Sequence, residues 1–224
     1  GVRGGSRLRG TSLSVPADIS SAAFLLVAAA LVPGSELLLR DVGLNETRDG
    51  ILGVLTAMGA DLTVHDRRRF GGEAVGDIRV RYAGRLKGME IAPESVPSLI
   101  DELPVILALA AACEGTTRLR GAAELRVKES DRLAVMARGL EALGVRLREY
   151  PDGMDVEGGP IGGGEADGAG DHRCAMSFSI LGQVAAAPVT VHGCENIDTS
   201  YPGFVADLLR VGGSIAAPAR PAHG

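Results

Sequence analysis

The sequence predicts an α/β fold made of three copies of a β-α-β-α-β-β unit, forming mixed sheets around buried helices. Three observations predict it. Three segments open with an aspartate before an apolar run: Asp18-Ile19-Ser20-Ser21-Ala22-Ala23-Phe24, Asp101-Glu102-Leu103-Pro104-Val105 and Asp171-His172-Arg173-Cys174-Ala175-Met176. Each run leads to a short strand and then to an amphipathic helix that stops at a glycine. The runs themselves are apolar nearly all round, and such helices belong inside a core.

Taken in chain order, the first helices of the units cover 24–31, 106–112 and 178–187. The strands that follow cover 35–39, 116–119 and 189–192. The second helices cover about 49–58, 130–143 and 202–211. They end at Met58-Gly59-Ala60, Leu143-Gly144-Val145 and Val211-Gly212-Gly213. Glycine just past a helix end takes a positive φ without a Cβ clash, so it is the expected stop. Alternating apolar residues at 61–65, 77–82 and 145–149 predict further strands. Two Gly-rich polar stretches, 67–72 and 160–170, read as loops. The expected domain runs over 11–215, with repeats at about 11–85, 86–158 and 159–215. Residues 1–10 read as a linker or the end of a preceding domain, and 216–224 as a tail. The absence of a Met before Gly1 reads as a start inside a longer protein.

Composition narrows the function classes. Of 224 residues, 46% are hydrophobic and 23% charged, enough apolar material for a sizeable core. Trp is absent and aromatics amount to 3%, so the core must be aliphatic. The net charge of -5 disfavours a general nucleic-acid or anionic-membrane binder. The most apolar stretch, 22–32, is about half the length a bilayer span needs. Three scattered cysteines show no metal-ligand spacing and suit a reducing cytoplasm. Nucleotide-cofactor loops and a Gly-x-Ser-x-Gly elbow are missing.

Three charged clusters remain. Glu124-Leu125-Arg126-Val127-Lys128-Glu129-Ser130-Asp131-Arg132 packs three cations and three carboxylates into nine residues. If a helix begins by Lys128, Lys128 and Arg132 share a face and repel by roughly 0.2–0.5 kcal/mol. A bound anion at that helix N-terminus would relieve the repulsion. A solvated face with an internal Glu129–Arg132 pair fits the same pattern. Asp171-His172-Arg173 enters the third apolar helix. An Arg there is costly to desolvate unless paired or liganded, and His172 could move protons. An N-cap Asp171 with a satisfied His and a snorkelling Arg is the plainer account. Asp101-Glu102 stands at the matching point of the second unit, where Asp101 could equally be a cap. Carboxylates, one His and several cations together suit an anionic substrate, acid–base catalysis and charge stabilisation.

Arg126-Val127-Lys128-Glu129-Ser130-Asp131-Arg132 and Asp171-His172-Arg173-Cys174-Ala175-Met176-Ser177 resemble two signature segments of the EPSP synthase family. Asp18-Ile19-Ser20-Ser21-Ala22 and Thr199-Ser200-Tyr201-Pro202-Gly203-Phe204 resemble family segments in the same order. The likeness runs from about Ser12 to Ile215 and covers the later half of a family member. It implies an inside-out α/β domain of the enolpyruvyl transferase type. It implies transfer of the enolpyruvyl group of phosphoenolpyruvate to the 5-hydroxyl of shikimate 3-phosphate, without metal or organic cofactor. The earlier half would supply another domain, a strand region of this one and further substrate-binding residues.

Carried over by position, the resemblance gives Asp101 the shikimate hydroxyls and an acid–base role. Lys128 would touch both substrates, and Glu129 would exchange a proton near C3. Arg132 and Arg173 would clamp phosphoenolpyruvate, and His172 would line its site. Two positions depart from some members: Glu124 stands in place of an Asn near the shikimate phosphate, and Thr199 in place of a Lys. Two rivals stay open, a UDP-N-acetylglucosamine enolpyruvyl transferase and a catalytically silent anion-binding domain. With half of the cleft elsewhere, this chain alone is expected to be inactive.

Overall fold

A computed structural model describes residues 1, 4–5, 7 and 9–216. Helix α1 spans Ile19–Leu31, and nearly all its side chains are buried. Strand β1 (Glu36–Gly43), helix α2 (Gly50–Ala57) and strands β2 (Asp61–Phe70) and β3 (Glu73–Arg81) complete the first unit. The second unit holds β4 (Glu90–Ile91), α3 (Leu103–Ala112), β5 (Thr116–Leu119), α4 (Arg132–Ala142), β6 (Arg146–Tyr150) and β7 (Gly153–Glu157). The third holds β8 (Gly164–Asp167), α5 (His172–Leu181), β9 (Val189–His192), α6 (Ile197–Ser200) and α7 (Phe204–Arg210).

The repeat is visible in strand order. The first sheet runs β1-β3-β2, with Ala17 bridging in parallel to Val42 on the open side of β1. The second runs β4-β5-β7-β6, with β4 parallel to β5 and the rest antiparallel. Among the described residues the third sheet has two strands, β8 and β9, again parallel. Each unit thus places the strand before its first helix beside the strand after it.

The first helices of the three units, α1, α3 and α5, pack on one another and form the centre of the molecule. α1 and α3 are apolar nearly all round, and α5 is buried from Cys174 to Leu181, so the sheets must close over them. Among the described residues, 55 make up the buried apolar core; most are aliphatic, and only Phe24, Phe178 and Phe204 contribute a ring. Phe24 meets Phe204 edge-on at 6.0 Å between centroids, tying α1 to α7. Helix α4 crosses α5 where Gly139 faces the Phe178 ring; a Cβ there would lie 2.2 Å from Cζ.

The three glycine stops form as expected. Gly59, Gly144 and Gly212 take φ of 98°, 85° and 92°. In each case the next N–H returns to the helix: Ala60 to Leu55 O at 2.9 Å, Val145 to Leu140 O at 3.0 Å, and Gly213 to Leu208 O at 2.8 Å. This is the same six-residue closure three times over.

Several expectations need correction. The stretch 67–72 is not all loop, because β2 continues to Phe70. A register shift between His65 and Arg68 carries the strand past its arginines. Arg68 is neutralised there by Asp77, 2.7 Å away, and by Asp41. The stretch 160–170 contains β8, whose Gly-Glu-Ala-Asp sequence carries no strand signal; pairing with β9 makes it a strand. Helix α5 ends at Leu181, and Gly182–Val184 tightens into a 3₁₀ turn. The expected tail falls outside the described residues beyond Ala216.

Candidate active site

The chemistry-bearing segments meet where the N-terminal ends of the central helices come together. Asp171 is the N-cap of α5 and accepts from the N–H of Arg173 at 2.9 Å and of Cys174 at 3.4 Å. Its other oxygen accepts from Arg132 Nε at 2.8 Å and Ser130 Oγ at 3.1 Å. Asp171 is fully buried and Arg132 is 1% exposed. Burial alone would push the Asp171 carboxyl up, but Arg132, the Arg173 N–H and Ser130 outweigh it and hold the group below its ordinary value.

Arg132 opens α4, which Asp131 caps through the Ala134 N–H at 3.0 Å. The helix therefore starts after Lys128, which lies at the end of a 3₁₀ turn over Ala123–Val127. The shared helical face expected for Lys128 and Arg132 does not exist. Arg132 Nη2 donates to Glu129 Oε2 at 2.5 Å, so that ion pair forms as the sequence allowed. Arg132 Nη1 is buried without a hydrogen-bond acceptor among the described residues; Asp101 Oδ1 lies 3.6 Å away.

Asp101 is the hub. Arg173 Nη1 donates to its backbone carbonyl at 3.0 Å, and Arg173 Nη2 lies 3.7 Å from Oδ2. Arg48 Nη2 lies 3.3 Å from the same oxygen. Three guanidinium groups from three repeats thus surround one carboxylate. Asp101 does not cap its helix. The N-cap of α3 is Glu102, one residue later, and its side chain makes no cap bond. Pro104 at the second helical position has no N–H to offer.

His172 is half-buried at the start of α5. Burial, followed by the charges of Arg173 and Arg132, lowers its pKa, so the ring is neutral near pH 7. Lys128 Nζ pairs with Glu124 Oε1 at 2.6 Å. The structure therefore joins Asp101, Glu129, Arg132 and Arg173 in one network, sets His172 within electrostatic reach of it, and turns Lys128 toward Glu124. The departure at Glu124 has a local consequence: the acid takes the lysine.

Sequence reasoning missed Arg48 as a neighbour of this network, and it marked Ser20 and Glu102 only as members of the segments that open the first and second units. Ser20 Oγ donates to Glu102 and accepts from Arg48 Nη2, the latter at 3.1 Å. A signal existed in Ser20, a polar residue inside an apolar run. Arg48 lies in a turn with no sequence mark. Two open surface hollows, of about 290 and 670 Å³, lie along β2 and α2 and are separate from this network.

The family model described as EPSP synthase (3-phosphoshikimate 1-carboxyvinyltransferase) matches residues 1–208. This chain belongs to the EPSP synthase family. A 3-phosphoshikimate 1-carboxyvinyltransferase of Xanthomonas campestris pv. campestris (strain B100) is 51% identical over 220 residues, covering 98% of this chain and 50% of that protein. One from Synechococcus sp. (strain JA-3-3Ab) is 54% identical over 94% of this chain and 47% of its own length. The chain spans about half the length of the EPSP synthase relatives it matches. An EPSP synthase structure from Acinetobacter baumannii superposes with a TM-score of 0.91 at 45% identity, over 95% of this chain and 49% of that one. The enolpyruvyl transferase NikO of Streptomyces tendae shares the fold, with a TM-score of 0.65 at 20% identity. The three-repeat, inside-out α/β architecture is that of EPSP synthase.

Proposed function

We propose that the whole protein containing this chain joins phosphoenolpyruvate to the 5-hydroxyl of shikimate 3-phosphate, releasing phosphate. The observation that carries the reading is the convergence of Arg48, Arg132 and Arg173 on Asp101, with a buried Arg132 N–H left unsatisfied. A buried donor without an acceptor costs about 1–3 kcal/mol. An anionic ligand accepting from it would recover that cost. Guanidinium forks suit a small acid carrying both carboxylate and phosphate.

The reaction is an addition followed by an elimination. The substrate hydroxyl oxygen bonds to C2 of phosphoenolpyruvate as its proton passes to Asp101. A proton is added to C3. The C2–O bond to phosphate then breaks, phosphate leaves, and a proton lost from C3 restores the methylene. Glu129, held by Arg132, and Lys128 are the groups for the proton at C3. Arg132 and Arg173 hold the donor, and His172 lines its site as a neutral ring. Lys128 is free to serve because its pair with Glu124 is partly exposed, and such pairs contribute about 0–1 kcal/mol.

The earlier half of the protein supplies the rest of the cleft, so this chain alone does not turn over. No described helix is long and apolar enough to cross a membrane. We place the enzyme in the cytoplasm, where free thiols such as buried Cys113 and Cys174 persist. The test is phosphate release by the full-length protein from phosphoenolpyruvate with shikimate 3-phosphate, and with a UDP-N-acetylglucosamine acceptor in parallel. Turnover with shikimate 3-phosphate alone is expected. Turnover only with the UDP-sugar, or with neither, overturns the reading. The isolated chain should show no turnover yet bind phosphoenolpyruvate at millimolar concentration by calorimetry.

A further inference from the structure

Asp101 is steadied from a side that the sequence motifs do not mark. Ser20, in the first turn of α1, and Glu102, the N-cap of α3, are 2% and 3% exposed. Ser20 Oγ donates its one proton to Glu102 Oε1, which leaves the hydroxyl free to accept. Arg48 Nη2 fills that position at 3.1 Å, and the same nitrogen lies 3.3 Å from Asp101 Oδ2. One NH₂ group therefore spans from the buried pair to the central carboxylate. Arg48 is itself set by its turn: its N–H donates to Asn45 O at 2.8 Å, and Asn45 Oδ1 accepts from Thr47 N at 3.0 Å.

Stability alone does not call for this arrangement. A buried polar pair in a helix seam costs desolvation that an apolar pair would avoid. The Glu102 side chain also makes no cap bond to its own helix, which uses only its backbone carbonyl, accepting from Ile106 N at 2.9 Å. Its carboxyl is pushed up by burial, and Ser20, Arg173 and Arg48 oppose that shift while Asp101 adds to it. What the pair does achieve is to fix a hydroxyl that holds a guanidinium at Asp101.

We propose that Arg48 is a positioning residue for Asp101, anchored by the Ser20–Glu102 pair. Arg48 acts through Asp101, setting the rotamer of the carboxylate that receives the acceptor hydroxyl. The proposal rests on the transferase reading above. Misplacing a reacting group by about 1 Å costs up to about 10²-fold in rate.

The experiment is steady-state kinetics of the full-length protein with Arg48→Ala, Arg48→Lys, Ser20→Ala and the Arg48→Ala/Ser20→Ala double variant, beside melting curves. Arg48 is half exposed, so Arg48→Ala is expected to fold with an unchanged melting temperature. Its kcat should fall about tenfold with the KM for phosphoenolpyruvate held within twofold, by the same misplacement argument. Arg48→Lys should recover part of kcat. The double variant should be no slower than Arg48→Ala, because the two residues act in series. Wild-type turnover with an unchanged kcat in Arg48→Ala, or strictly multiplicative losses in the double variant, overturns the positioning role alone. A wild-type protein without turnover overturns the transferase reading and this role with it.

Discussion

Asp18 and Asp171 each close the first turn of a central helix, whereas Asp101, at the matching point of the middle repeat, closes none. Asp18 accepts from Ser21 N at 2.9 Å, and Asp171 from Arg173 N at 2.9 Å. In the middle repeat the helix begins one residue later, and Glu102 takes the cap position. A shift of one residue moves a side chain out of the cap and into the space between the helix ends. The matching position thus caps a helix in the first and third repeats and faces arginines in the second. Three guanidinium groups face the one aspartate that has no helix to serve.

The strongest test of that contrast is Asp101→Asn in the full-length protein. Loss of an acid–base group costs about 10²–10⁴-fold in rate, so kcat should drop within that range while the melting temperature holds. A large loss of stability instead would make Asp101 a structural residue like the other two. Asp171→Ala should act in the opposite manner. It strips Arg132 of its main buried partner, and breaking such a pair costs roughly 3–5 kcal/mol. Denaturant unfolding measures it; a change under 1 kcal/mol would show that Arg132 relaxes into water. Asp18→Ala is the mild case. A lost N-cap costs about 1 kcal/mol, and the turnover of the full-length protein should be unaffected.

The smallest effect separates two buried carboxylates on either side of Asp101. Asp171 has a pKa held below its ordinary value, so its stabilisation is present at neutral pH and fades as pH falls through the depressed value. Glu102 is raised, mainly by burial, so folding favours its protonated form. Its stabilisation is present below the ordinary carboxylate value and is lost as pH rises through the raised one. Glu102→Gln should therefore flatten the decline in stability between acid and neutral pH, and leave the acid-side loss from Asp171 in place. Melting temperature against pH checks the sign; an unchanged profile would mean that Glu102 titrates as an ordinary surface acid.

Much of the fold was legible in the chain. The three aspartates, the apolar runs and the glycine stops are local signals, and local backbone rules turn them into helices with closed ends. Strands 116–119 and 189–192 were read to the residue because flanking turns bound them. Strand β8 and the later part of β2 were not legible, since Gly-Glu-Ala-Asp and a run of arginines become strands only through a partner. In the site, Asp101, Glu129, Arg132 and Arg173 were named from sequence and meet in space. Lys128 was named too, but its turn points it to Glu124. Arg48 went unread, because nothing beside it in the chain distinguishes it from any exposed turn residue.

By itself the sequence determined which residues carry charge, where the second helix of each unit stops at its glycine, and that three apolar helices must be enclosed. Those are properties of neighbours within a few positions. Only the tertiary structure decided which aspartate caps and which stays free, and which distant arginines surround it. That choice turns on a one-residue offset in a helix start and on contacts made across 31, 53 and 72 positions of chain. Hydrogen bonds and charges act through distances of a few ångströms, and packing alone sets those distances.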